Sequence, residues 1–309
     1  MTEFFSYAGT VGVQVVVLFI MILVGFVISK KGLLNGDGAM QMTNTLLYIV
    51  TPSVIISSFD SMDFSLKAAS DLSIAAVCAV ITHVIGFAIP FIIFRKKEKQ
   101  LKNVLVCTTA LSNCGFMGVP MAEAILGERG VFLVSVYIAI FNIFVWTLSF
   151  AMFSSGKFNV KKALINPGVI GTLIGFVLFF SRLNLPEIIS KPIGFMASIN
   201  SPLAMIVIGY YLSVSPLKIA KKDLPLMLSV GLRLIAIPLI CLGIFTLIGI
   251  KGELLSACIV PACAPTAAMV MMLAAKFGGD TEAASKGMSY AHIISVVTMP
   301  LMITLCKFF

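Results

Sequence analysis

Leu111–Met121, LSNCGFMGVPM, decides how this chain is read. It puts Asn113, Gly115, Gly118 and Pro120 in the middle of a long apolar run, where an uninterrupted membrane helix carries large apolar residues. Glycine loosens a helix, and proline lacks an N–H and clashes with the preceding turn, so the backbone is expected to break here. Unpaired amides and carbonyls facing lipid cost several kcal/mol each. Such a break is therefore stable only inside protein or beside a wet cavity.

The composition around this stretch leaves one class of protein. Of 309 residues, 59% are hydrophobic and 11% charged, and the mean hydropathy is +1.08, far from the balance of a water-soluble domain. The chain reads as an all-α, polytopic membrane protein, one membrane domain over residues 1–309. The apolar run Val11–Ile28 is long enough to span and follows Glu3 rather than a basic leader, so it reads as the first helix and not a cleaved signal. Cys78, Cys107, Cys114, Cys241, Cys258, Cys263 and Cys306 form no CxxC pair and have no histidine cluster beside them, which makes them packing residues.

Apolar runs separated by short polar breaks give ten predicted helices, near residues 10–30, 40–59, 70–94, 101–124, 130–153, 164–181, 192–214, 224–248, 253–277 and 283–306. Pro52 and Pro202 interrupt the second and seventh. Most Lys and Arg fall in the loops after the odd-numbered helices, above all Arg95, Lys96, Lys97, Lys99 and Lys102, with Lys157, Lys161, Lys162, Lys218, Lys221 and Lys222 further on. The positive-inside rule then places both termini outside a cytoplasmic membrane. The net charge of +9 is thus a topology signal and implies no nucleic-acid partner.

Five helices followed by five put the halves, about 1–155 and 156–309, in opposite orientations, the pattern of an inverted repeat. At an offset of 150, Gly25-Phe26-Val27 falls on Gly175-Phe176-Val177, Pro52 on Pro202, Ser135 on Ser285 and Asn142 on His292. The repeat requires a second interrupted segment, and Val260–Thr266, VPACAPT, supplies it with Pro261 and Pro265. Paired interrupted helices at matching positions mark a transporter's binding site.

These residues carry a resemblance. LSNCGFMGVPM, the Asn142/Trp146 pair, Asn166-Pro167, Arg233 with Pro238, and IVPACAPTAAM together resemble the auxin efflux carrier family, the PIN-formed-like carriers and their bacterial relatives. The resemblance covers nearly the whole chain and implies a 5+5 inverted repeat with broken, crossing helices 4 and 9. It implies a scaffold of helices 1, 2, 6 and 7, through which two subunits pair, and a transport domain of helices 3–5 and 8–10 that moves as an elevator. The implied substrate is a small organic anion, a mono- or dicarboxylate. The family's substrate-binding asparagine falls on Asn113, its crossover prolines on Pro120 and Pro265, and its polar residue in helix 5 on Asn142. The family's Asp/Lys pair of helix 3 has no counterpart lysine here, and Asp71 stands at that helix's start.

Broken helices present amide N–H groups and the positive end of the peptide dipole, so two converging ends can hold a carboxylate. Helices 4 and 9 carry no cation near their breaks, and the expected substrate contacts are Asn113, Cys114, Asn142, Ala264, Pro265 and Thr266, with Gly115, Gly118, Pro120, Pro261 and Pro265 as hinges. Asn113 either holds the anion or caps a broken helix end. Titratable groups at membrane depth are costly and so are functional candidates: His292 and His83 for proton coupling, Arg233 for charge neutralisation or helix bracing, Glu123 at the outer interface. Met269, Met271 and Met272 read as adaptable packing. No cofactor or metal site is expected, only a proton or sodium ion as coupling ion. The competing functions are a sodium-coupled symporter of the bile-acid type and a non-transporting membrane sensor; no HExxH or GxSxG motif suggests an enzyme.

Overall fold

A computed structural model describes residues 2–154, 165–215 and 223–309, with side chains from residue 12 onward. The basic residues Lys157, Lys161, Lys162, Lys218, Lys221 and Lys222 lie outside the described residues. Every element among the described residues is helical, and the one β-type contact is an isolated antiparallel bridge between Ser112 and Thr266.

Seven helical stretches are long and apolar enough to cross a bilayer: Gly12–Lys30, Gly36–Asp60, Leu66–Ile93, Cys114–Phe153, Glu187–Val214, Leu224–Leu247 and Thr281–Phe308. Pro167–Ser181 and Gly252–Ala262 are shorter apolar helices. The surface of these stretches is apolar, with Ile20, Leu23, Val177, Ile188 and Phe195 exposed. That pattern needs lipid around it, since a water-soluble chain does not present so much contiguous apolar surface.

The anticipated interruption of the second and seventh segments is mild. Pro52 follows a π-helical turn over Leu46–Val50 inside a helix that runs on from Gly36 to Asp60, so it removes one backbone donor without ending the helix. Pro202 stands in the first turn of Asn200–Val214. The anticipated break near 125–129 is present as a sharp reversal at Gly127, whose φ of 63° and ψ of −154° are non-helical and suit glycine: a helix from Val119 ends there and a second runs on to Phe144, close enough that a Cβ on Gly130 would lie 2.6 Å from the Ala122 carbonyl oxygen. Breaks open elsewhere. Lys99–Ala110 ends at Leu111 and helix resumes at Cys114, while Gly252–Ala262 ends at Cys263 and helix resumes at Met269.

Glycines set two close helix contacts. A Cβ on Gly25 would lie 2.3 Å from the Ile206 carbonyl oxygen, and one on Gly209 would lie 2.2 Å from that of Ile22, so these helices touch backbone to backbone. A Cβ on Gly175 would meet the Phe59 ring at 2.4 Å. Phe59 in turn packs edge-on against Phe132, Phe176 and Phe179. Ion pairs tie helix starts together: Arg129 to Asp71 at 2.6 Å and Glu253 at 3.6 Å, and Lys286 to Asp223 at 3.5 Å, with Glu282 of the same helix 2.9 Å from Lys286. The seven cysteines are buried and free.

Candidate functional site

The two breaks meet. The Asn113 amide donates to the Pro265 carbonyl at 2.6 Å and the Ala267 amide to the Leu111 carbonyl at 2.9 Å, flanking the Ser112–Thr266 bridge. The Thr266 hydroxyl donates to the Thr108 carbonyl at 2.9 Å. Each interrupted segment therefore supplies the backbone partners that the other has lost, the condition for broken backbone to persist in a membrane.

The polarity of this crossing is sorted by side. The carbonyl ends of the two preceding half-helices face Arg233, which has no solvent exposure. Its guanidinium donates to Thr109 O at 3.0 Å, to Ala110 O at 3.2 Å and to Ala262 O. Arg233 is therefore a brace on both helix C-termini, the second of its two expected roles, and it lines neither cavity of the site. It also corrects the expectation of a crossover without a buried cation, because the cation comes from a third helix, whose side chain sequence reading did not bring there.

The amide ends face a cavity of about 60 Å³. Asn113, Cys114, Gly115 and Phe116 line it from one break, Ala267, Ala268 and Met269 from the other. Asn142, Asn166, Gly168, Thr43, Thr51 and Ser112 add polar groups, while Leu47, Ile138, Phe141 and Met272 form an apolar wall. A third helix begins here, since Asn166 caps Pro167–Ser181 by accepting from the Gly168 amide at 2.9 Å. Among the described residues, no acidic side chain lines it. Leu47, Asn166, Met269 and Met272 are shared with a larger cavity of about 600 Å³ that reaches Asn44, Tyr48, Trp146 and Lys276.

Asn113 is the most connected residue of the site. Its Oδ1 accepts from the Phe116 amide at 3.3 Å, capping the resumed helix, and its Nδ2 lies 3.2 Å from His292 Nε2. His292 Nδ1 lies 2.7 Å from the Met288 carbonyl. A carbonyl only accepts, so Nδ1 carries the proton and Nε2 is the lone-pair nitrogen that accepts from Asn113. The capping role of Asn113 is thus present, in a side chain that also lines the cavity. Asn142, at the offset position of His292, donates to the carbonyl four residues before it, Ile138, at 2.9 Å.

The remaining candidates separate. Ala264, Pro265 and Thr266 are buried in the crossing itself and do not line the cavity; the lining begins one residue later, at Ala267. Pro120 and Pro261 are buried in their helices, and Gly118 packs against Pro261, whose Cα would stand 3.4 Å from an added Cβ. His83 is stacked on Phe144 at 5.0 Å and beside Tyr137 at 4.9 Å, with Nδ1 donating to Ala79 O, away from the cavity. Glu123 is exposed and borders a separate cavity of about 160 Å³ with Glu128, Ser57, Ser58 and Ser61. Met269 and Met272 line the site rather than serving only as packing. Asn166 also belongs to it; its Asn-Pro helix-start signal was legible, its place at the cavity was not.

A polytopic helical protein in which two discontinuous helices cross and turn their amide ends to one cavity has the build of a membrane transport protein. The family described as Membrane transport protein matches residues 10–162 and 151–303, and the chain belongs to that family, which includes the auxin efflux carriers. It is similar to a protein of Methanothermobacter thermautotrophicus described as an uncharacterized transporter, 26% identical over 291 residues, covering 92% of this chain and 94% of that one. A second uncharacterized transporter, from Methanocaldococcus jannaschii, is 25% identical over 299 residues, covering 93% and 96%. Auxin efflux carrier component 3a of Oryza sativa subsp. japonica is 24% identical over 140 residues, 44% of this chain and 23% of that one.

Proposed function

We propose that this protein is a secondary transporter of a small organic anion, a mono- or dicarboxylate, across the cytoplasmic membrane. The observation that carries this reading is the cavity at which Asn113 and the amide ends of both resumed helices converge without a carboxylate in the lining. Helix N-termini and amide donors attract an anion, and the apolar wall takes its carbon skeleton.

Ten membrane segments in a 5+5 inverted repeat, with a scaffold of helices 1, 2, 6 and 7 and an elevator-like transport domain of helices 3–5 and 8–10, fit the packing. The offset pair Gly25 and Gly175 occupies two comparable tight contacts. Two serine pairs, Ser58 with Ser135 at 3.1 Å and Ser215 with Ser285 at 2.9 Å, join the second to the fifth and the seventh to the tenth segment. The pairs contain the offset partners Ser135 and Ser285, which supports the repeat. Pairing of two subunits through the scaffold is part of the same proposal.

His292 is the proposed proton-coupling residue. Protonation would turn Nε2 from acceptor to donor, leaving it face to face with the donor Nδ2 of Asn113. Asn113 then has to rotate its amide, which withdraws Oδ1 from the Phe116 amide and changes the anion site. Counterflow in proteoliposomes against a panel of mono- and dicarboxylates, with pH and sodium varied, tests the reading. Exchange of at least one carboxylate, lost in Asn113→Asp, is expected; no exchange with any member would favour a sensor, and strict sodium dependence would favour a sodium symporter.

A further inference from the structure

A second surface combines an apolar groove with a run of unpaired cations. Val84, Phe87 and Phe91 on one helix and Phe144, Leu148 and Met152 on another line an open groove of about 570 Å³. Its lining is almost wholly apolar side chain, so in a bilayer it holds hydrocarbon rather than water. The first of these helices ends at Ile93, and the chain then carries Arg95, Lys96, Lys97, Lys99 and Lys102 with Glu98 as the single acidic residue. None of the five cations has a carboxylate within ion-pair distance among the described residues.

Groove and cations form one surface. The Lys102 ammonium lies 5.0 Å from the ring centre of Phe91, a groove residue. Asn103 Nδ2 donates to the carbonyl of Met152, on the opposite wall, at 2.7 Å, which fixes the basic half-helix against the groove. We propose that this surface binds an anionic glycerophospholipid, one acyl chain lying in the groove and the headgroup phosphate held by the Arg95–Lys102 run. A zwitterionic lipid fills the groove equally well but leaves the net positive charge uncompensated. The preference therefore resides in the cations, at about fivefold in affinity per Lys or Arg at low ionic strength. The proposal rests on the orientation given above only in placing the headgroup in the cytoplasmic leaflet.

The test is fluorescence quenching in the full-length protein with Trp146→Phe and Leu148→Trp, which moves the single tryptophan into the groove. Reconstitution is in phosphatidylcholine vesicles doped with brominated phosphatidylglycerol or brominated phosphatidylcholine. The phosphatidylglycerol is expected to quench at a mole fraction at least tenfold lower. Replacing Lys96, Lys97, Lys99 and Lys102 by Gln is expected to erase that difference while leaving quenching by phosphatidylcholine. Ala88→Phe, which fills the groove, is expected to reduce quenching by both. Equal quenching by the two lipids at low salt, or a preference that survives the four Gln substitutions, overturns the proposal. Disulfide cross-linking of two copies through Leu148→Cys in the bilayer would assign the groove to a second chain and overturn it as well. The readout is lipid proximity, so a failure of carboxylate counterflow leaves it intact.

Discussion

Replacing Arg233 by Met tests whether the crossing is held by its carbonyl side. The side chain donates to Thr109, Ala110 and Ala262, the last carbonyls of the two half-helices. Hydrogen bonds to a charged group contribute about 1.5–3 kcal/mol each, so the gross loss is roughly 4–9 kcal/mol. Against that stands the desolvation of a guanidinium with no exposure, a cost of several kcal/mol that the substitution relieves. Buried charges exchanged for apolar residues sometimes stabilise a protein for that reason. Here the acceptors stay behind, buried at helix ends whose dipoles also favour a cation, so the net effect is a loss of about 3–5 kcal/mol. Lys has an ammonium without the planar fork and reaches fewer of the three carbonyls, so Arg233→Lys is expected to recover about half of the loss. All seven cysteines are buried, so a thiol-reactive fluorogenic dye reports unfolding in detergent directly. At about 2 °C per kcal/mol, Met lowers the midpoint by roughly 6–10 °C and Lys by half as much. A Met variant within about 2 °C of the parent would refute the reasoning, as would a Lys variant no better than Met.

Asn113→Asp keeps an acceptor for the Phe116 amide, and a carboxylate near the bound anion costs about 4 kcal/mol, or a thousandfold in uptake; undiminished uptake would leave Asn113 as a cap only. His292→Gln retains a hydrogen-bonding partner for Asn113 but does not titrate, so transport persists with a flattened pH profile; a profile identical to the parent's removes His292 from coupling. Gly209→Ala puts a methyl group where 2.2 Å separates it from the Ile22 carbonyl oxygen, and is expected to cost about 1–3 kcal/mol in the same dye assay; a change below about 0.5 kcal/mol would mean that the two helices are not in backbone contact.

What the sequence discloses follows from where backbone and side chain disagree. Asn113, Gly118 and Pro120 in an apolar run pose a hydrogen-bonding problem that only a partner segment solves, so the pairing of 111–121 with 260–266 is readable in the sequence. The seven long apolar stretches are readable as well, because lipid imposes one length and one composition. The cavity's exact lining is not. Pro265 and Thr266 are consumed by the crossing, which shifts the cavity lining to Ala267–Met269, and that shift depends on the register of the Ser112–Thr266 bridge. Arg233 escapes because its three acceptors lie on two other helices, the nearest 29 residues away in sequence. Gly127 is legible as the boundary of the fourth and fifth helices, because glycine adopts a positive φ that Leu126 or Glu128 would adopt only at a cost.

The division of the crossing into a carbonyl face and an amide face explains how the proposed anion site would need no cation of its own. A bare crossover presents about half a negative charge at each helix C-terminus and half a positive charge at each N-terminus, and across so short a distance these fields largely cancel. Arg233 binds the negative ends and leaves the positive ends unopposed, so in the proposed reading a residue that does not line the cavity favours an anion there. A lysine or arginine inside the cavity would hold the anion by a point charge and would itself be exposed and costly whenever the site stood empty at membrane depth. Amide ends are already paid for by the helices that carry them, and their attraction is weaker, which lets the anion leave. A permanent brace on one face and a transient ligand on the other is therefore the arrangement that favours release as well as capture.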